Sequence, residues 1–170
     1  MDLLLVVNAQ NSFLSEQGSV YMEEKAEILK VRLNDFLSTY NRPKIFIREK
    51  HATDDQFFMN DKTHSVVTTE DYQIVDVLKK YVEVCYDKIR YSAFFGDTKL
   101  ENHLKNQRVK DIGIVGVETH TSVLFTVEEL RNRGYEVTLV EPCVMARDDY
   151  MHSFALSLMK NALGVRISNG

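Results

Sequence analysis

The feature that most constrains this chain is a rhythm in which short apolar runs alternate with longer amphipathic stretches. Leu3–Val7 (LLLVV), Lys44–Arg48 (KIFIR), Ile112–Val115 (IGIV) and Tyr135–Val140 (YEVTLV) read as strands, and Tyr81–Tyr86 (YVEVCY) alternates like another. A run that is apolar at every position is buried on both faces, as in a parallel sheet covered by helices. Between the runs lie the helices. Ala26, Ile28, Leu29, Val31, Leu33, Phe36 and Leu37 recur at helical spacing, and Asn41, Arg42 and Pro43 break that helix. Tyr72–Lys80 and Lys99–Lys105 suggest shorter helices, while His51–Thr69 is polar and reads as a loop. Thr119–Arg133 is a helix that Gly134 is placed to end, Asp148–Leu163 is a further helix, and Val165–Ser168 a last strand. The expected architecture is a three-layer α/β/α sandwich, Rossmann-like, with a mostly parallel sheet of about six strands in a single domain over residues 1–170.

Composition narrows the function. With 170 residues, an apolar fraction of 44% and a formal net charge of -4, the chain can bury a sizeable core but lacks the basic face that nucleic acid requires. No stretch approaches the ~20 apolar residues of a membrane span. Leu3–Val7 is too short for a signal-peptide core. Cys85 and Cys143 both sit in apolar surroundings and read as free thiols. The expectations are a cytoplasmic location, a small-molecule ligand, and no nucleic-acid or membrane partner.

In parallel α/β sheets, sites lie at the carboxyl ends of strands. Three segments stand at such ends. Val6–Phe13 (VVNAQNSF) places Asn8 and Gln10 after the first strand; turn bonds to nearby backbone are the alternative use of such residues. Asp87–Phe94 (DKIRYSAF) places Lys88 after the third, although a lone lysine by default points to solvent. Gly116–Val123 (GVETHTSV) opens a helix, with Thr119 fit to cap it and Ser122 in its first turn. A hydroxyl there stands among backbone N–H groups at the positive end of the dipole, a setting for a nucleophile beside an oxyanion site.

Taken together and in order, these segments resemble the isochorismatase-like cysteine hydrolases, which include nicotinamidases, N-carbamoyl amidases and isochorismatases. VNAQNSF is similar to the family's IDxQNDF, KIRYSAFFGDTKL to its KxxYSAF…GTxL, and GVETHTSV with GYEVTLVEPC to its GVxTxxCV and GYxVxVxxDA. The likeness runs from about Leu3 to Ile167. It implies that Asn8, Lys88 and Ser122 stand at the positions of a catalytic Asp, Lys and Cys, so the chain is a divergent member. It also implies a cis peptide between Val117 and Glu118, an oxyanion site served by the amides of Glu118 and Ser122, and a pocket lined by Gln10, Phe13, Tyr91 and Phe94. Glu49, His51 and His64 fall where nicotinamidases of the family hold a divalent ion. Phe57 and Phe58 occupy the stretch of an intermediate ligand, so neither a metal nor a cofactor is expected. Family members commonly assemble through the helix after the nucleophile, which implies a homo-oligomer.

The departures set the functional expectation. An amide side chain neither takes nor gives a proton at neutral pH, and a serine hydroxyl is a poor nucleophile without an adjacent base. The first reading is therefore a catalytically impaired relative that keeps a small-molecule or anion pocket. The alternative is a hydrolase of small amides, imides or esters in which Ser122 attacks and Lys88, with no carboxylate beside it, acts as base.

Overall fold

The computed structural model describes residues 1–56, 62–96 and 99–170. Phe57 and Phe58, and the Asp97-Thr98 pair of the KIRYSAFFGDTKL segment, lie outside the described residues. Among these, six parallel strands form one sheet: β1 Leu3–Val7, β2 Lys44–Glu49, β3 Val84–Lys88, β4 Asp111–Val117, β5 Glu136–Met145 and β6 Arg166–Ser168, in the order β3-β2-β1-β4-β5-β6. The two central strands are the ones the sequence makes apolar throughout. Every residue of β1 is fully buried. Leu3, Leu5 and Val7 face a core with Ile112, Ile114, Val127, Leu130, Ala155 and Met159, while Leu4 and Val6 face a second core with Leu29, Leu33, Phe46 and Leu78. Side chains that alternate across a strand thus feed two separate layers, and helices cover both faces.

The helices are α1 Asn11–Leu14, α2 Glu24–Thr39, α3 Asp76–Lys79, α4 Leu100–Asn106, α5 Leu124–Asn132 and α6 Asp149–Asn161. On α2 the buried stripe is Ala26, Leu29, Leu33 and Leu37, whereas Ile28 and Val31 are exposed. The α6 helix is capped by Asp148, whose Oδ1 accepts from the Met151 amide at 2.7 Å. None of the described helices is long and apolar enough to cross a membrane.

Local expectations changed where tertiary contacts intervene. The Tyr72–Lys80 helix is instead a single 3₁₀ turn, Glu70–Tyr72, followed by the short α3. Between them, the Gln73 carbonyl accepts from Asn11 N, Val75 N donates to Ala9 O, and Ile74 bridges Gln10. Pairing with the exit of β1 outweighs the helical pattern. The third strand begins at Val84 and not at Tyr81, because Tyr81 N and Val82 N close turns onto Leu78 and Lys79. The β5 strand runs on to Met145, past Pro142, through a register shift opposite Ile114–Gly116. Thr119 does not cap the following helix. Residues Thr119–Val123 wind as a π-helical turn, and the Thr119 hydroxyl pairs with His152 Nδ1 of α6 at 2.8 Å.

Gly116 shows how tightly the strand ends are joined. Its φ is +118°, and a Cβ there would lie 1.9 Å from the Val7 carbonyl oxygen, so only glycine fits. The bond two residues on, Val117–Glu118, is cis.

Candidate active site

Four strands deliver one polar residue each to the same buried point. Asn8 follows β1 with φ +51°, a left-handed conformation that Asn tolerates better than most residues. Glu49 ends β2, Lys88 ends β3, and Ser122 lies in the π-helical turn after β4. Glu49 and Lys88 are direct register partners across the β2–β3 pair. All four side chains are removed from water: Lys88 is 0% exposed, Asn8 and Ser122 1%, Glu49 2%.

The bonds among them leave little freedom. Ser122 Oγ accepts from Asn8 Nδ2 and from Lys88 Nζ, each at 3.0 Å. It donates its one hydrogen to Glu49 Oε1, also at 3.0 Å. Lys88 Nζ donates to the same Oε1 at 2.7 Å and to the Arg90 carbonyl at 3.0 Å, so its three N–H bonds are all engaged. The other carboxylate oxygen, Oε2, faces His64 Nε2 at 3.1 Å. Burial alone would raise the Glu49 carboxyl, but the Lys88 ammonium and His64 outweigh it and hold the group ionised, well below the usual carboxylate range. Burial pulls Lys88 below its ordinary value, with Glu49 opposing that pull.

This contact corrects the expectation that Lys88 stands without a carboxylate. The carboxylate comes from β2, not β1, so Lys88 is the charged partner of an ion pair and not a free amine. The default of a solvated lysine fails for the same reason, because only a fully paired ammonium is tolerated at zero exposure.

Gln10 holds the arrangement from behind. Its Nε2 donates to the Glu49 and Tyr72 carbonyls, each at 2.9 Å, and its Oε1 accepts from the Glu49 amide at 2.7 Å. The side chain is thus bonded to the backbone of Glu49 and Tyr72. Phe13 is buried in the α2-side core with its ring edge-on to His64, centroids 5.3 Å apart. Tyr91 is exposed and stacks on Phe125 at 5.4 Å, and Phe94 lies against the other core under the Arg133 guanidinium, 4.2 Å away. Among the described contacts, Gln10 and Phe13 thus stand on the Glu49 and His64 side, and Tyr91 and Phe94 beside Phe125 and Arg133. Glu118 turns its carboxylate away from Ser122: it accepts from the Arg147 amide at 3.0 Å, from Nε at 2.9 Å and from Nη2 at 3.0 Å.

Glu49, His51 and His64 do come together, all buried, with one potential ligand atom from each lying within 4.8 Å of the others. The donor types are those of a divalent-ion site, but as arranged they bond one another and their neighbours. Both Glu49 oxygens already accept hydrogen bonds. His64 faces oxygen at both ring nitrogens, with Nδ1 2.7 Å from the Lys62 carbonyl and Nε2 against Glu49. A carbonyl only accepts, so Nδ1 donates to Lys62, which leaves Nε2 as the ring nitrogen turned toward Glu49. His51 points Nδ1 at Asp55 Oδ2 at 3.0 Å, and burial lowers its pKa, Asp55 partly opposing.

The parallel sheet in this order, with lysine, hydroxyl and carboxylate meeting at its carboxyl edge, defines a three-layer α/β fold with a buried polar centre at the strand ends. The chain belongs to the isochorismatase family, whose isochorismatase domain matches residues 2–169. Among curated relatives it is 25% identical over 174 residues to the isochorismatase family protein YaaI of Bacillus subtilis (strain 168), covering 97% of this chain and 92% of that one. It is 24% identical over 179 residues to the isochorismatase family protein PncA of the same organism, with 97% of each chain covered. Among solved structures, nicotinamidase/pyrazinamidase PncA from Bacillus subtilis superposes with a TM-score of 0.88 at 23% identity, over 98% of both chains. Pyrazinamidase of Pyrococcus horikoshii in complex with zinc gives 0.87 at 24% identity, over 99% of this chain and 98% of that one. The expected family and the three-layer parallel fold are both borne out.

Sequence reasoning passed over Glu49 as a partner of Ser122 and weighed it only as a metal ligand. Its one signal is a position at the end of a strand, which does not name a partner.

Proposed function

We propose that this chain is a small-molecule hydrolase of the isochorismatase class in which Ser122 attacks the carbonyl of an amide, imide or ester. The observation that carries the reading is the setting of the Ser122 hydroxyl. Its oxygen is buried and held between an ammonium and an amide donor, each at 3.0 Å. Two such donors stabilise the charge that develops on the oxygen as its proton leaves. The amides of Glu118 and Ser122, at the start of the π-helical turn, are the candidate donors for the carbonyl oxygen of the substrate. Relatives whose structures are nicotinamidases and pyrazinamidases support a small, planar amide as the first substrate to try.

A second reading has its own support. Glu49 is held far below the range of an effective general base, which favours an impaired relative that binds its ligand without turning it over. The exposed apolar side chains of α5 and α6, Phe125, Tyr150 and Phe154, support a homo-oligomer, which size-exclusion chromatography with light scattering would read directly. The deciding experiment compares the parent with Ser122→Ala on nicotinamide, pyrazinamide and p-nitrophenyl acetate. Turnover lost in the alanine variant supports the hydrolase. Thermal stabilisation by nicotinate without turnover in either protein supports the binding relative.

A further inference from the structure

We infer that Glu49 is the proton acceptor for Ser122, so that the carboxylate missing from the end of β1 has been replaced by one from the end of β2. The inference rests on the hydrolase reading and adds to it the residue that moves the proton. At the β1 position stands Asn8, whose Nδ2 donates to Ser122 Oγ and so cannot accept its hydrogen. Both other donors, Asn8 and Lys88, point at the same oxygen. The hydroxyl hydrogen is left one ionised acceptor among the described residues, Glu49 Oε1 at 3.0 Å. Glu118, the other nearby acid, is taken up by Arg147. The longer Glu side chain suits the role, since it starts on the strand beside β1 and must reach farther. Gln10, bonded to both the amide and the carbonyl of Glu49, fixes the direction of that reach.

The step balances without a further reagent. Ser122 Oγ forms a bond to the substrate carbonyl carbon as its proton passes to Glu49 Oε1, and the carbonyl π pair moves onto oxygen. When that pair returns, the C–N or C–O bond breaks, and the leaving nitrogen or oxygen takes the proton from Glu49. An acyl ester remains on Ser122. Water then adds to the ester carbonyl, giving its proton to Glu49. The second collapse breaks the bond to Ser122 Oγ, which takes that proton back and releases the acid. Throughout, Lys88 stays charged and shifts its hydrogen bonding from Glu49 toward Oγ as negative charge moves there.

The test uses the full chain with p-nitrophenyl acetate and nicotinamide as probes. Glu49→Gln should lower Ser122-dependent turnover by about 100-fold or more, within the usual range for loss of a general base. Adding Asn8→Asp to Glu49→Gln should recover at least about tenfold, since it returns a carboxylate to the same hydroxyl from the neighbouring strand. Full activity in Glu49→Gln, or no recovery in a folded double variant, overturns the inference. If Glu49→Gln does not fold, Glu49→Asp keeps the charge but withdraws the oxygen by about one C–C bond, ~1.5 Å. Turnover must then drop while the melting transition persists, and unchanged turnover overturns the assignment. If the parent shows no turnover at all, the hydrolase reading fails, and Ser122→Cys tests the Glu49 contact by itself. The pH profile of its alkylation by iodoacetamide should move by about one unit or more when Glu49→Gln is added, because a carboxylate against the sulfur disfavours the thiolate. An unmoved profile overturns the inference independently of catalysis.

Discussion

Replacing Lys88 by methionine should cost the fold more than its chemistry suggests, and by an amount that depends on pH. Methionine keeps most of the apolar stem, so packing is largely retained. What is lost is the ammonium 2.7 Å from a carboxylate that is 2% exposed. Removing one partner of a buried ion pair strands the other, at about 3–5 kcal/mol. His64 still faces the second oxygen of Glu49, which places the cost near the lower end, about 3 kcal/mol. In a chain of this size each kcal/mol shifts the melting temperature by about 2–4 °C, so the expected drop is about 6–12 °C at neutral pH. In the parent, Glu49 titrates below its unfolded value. Its contribution is therefore in place above about pH 4.3 and fades only as acid carries the pH down toward the folded value. In Lys88→Met the folded value rises, because burial is opposed by His64 and not by the ammonium. The variant then gains protonated Glu49 in acid, and the gap between the two proteins widens as pH rises. Thermal melts followed by circular dichroism at about pH 4.5 and about pH 7.5 measure both effects. A drop below about 1 °C at both values, or a gap that narrows toward neutral pH, would refute the ion pair as the source of stability.

Three further outcomes are expected. Gly116→Ala should destabilise by about 3 kcal/mol or more in urea titrations, since its Cβ meets the Val7 carbonyl oxygen at a φ of +118°; a change under about 0.5 kcal/mol would mean that β1 and β4 can part at no cost. Asp148→Ala should lower stability by about 1 kcal/mol through loss of the 2.7 Å cap on the Met151 amide, seen as a fall of about 2–4 °C in melting temperature; no change would mean that solvent serves the amide equally well. Zinc in about 100-fold excess over protein should leave the melting temperature within about 1 °C, because both Glu49 oxygens are already engaged by Lys88, Ser122 and His64; a rise of several degrees that Glu49→Ala removes would show that the three side chains rearrange around the metal.

What the sequence by itself determined is what depends on local pattern. Leu3–Val7 is apolar at every position, and burial on both faces is the only arrangement that removes such a strand from water. From that follow the parallel sheet and its helical layers, and from the sheet the rule that polar residues at strand ends converge. Asn8, Lys88 and Ser122 were legible as site positions on those grounds and by family likeness. The departures came where a residue answered to a distant partner. Thr119 bonds His152 on α6 in place of its own helix start, and Gln73–Val75 pairs with the exit of β1 in place of joining a helix. Gln10 and Phe13 were legible as near the site, but their use in clamping Glu49 and packing on His64 was not. The role of Glu49 was decided by tertiary structure alone. It is 39 residues from Lys88 and 73 from Ser122, and nothing in its neighbours Arg48 and Lys50 marks it as their partner. Only the register of β1, β2 and β3 brings its oxygen between an ammonium and a hydroxyl. In that buried place a charge is tolerated only when every lone pair and proton around it is matched, and that match exists in three dimensions and nowhere along the chain.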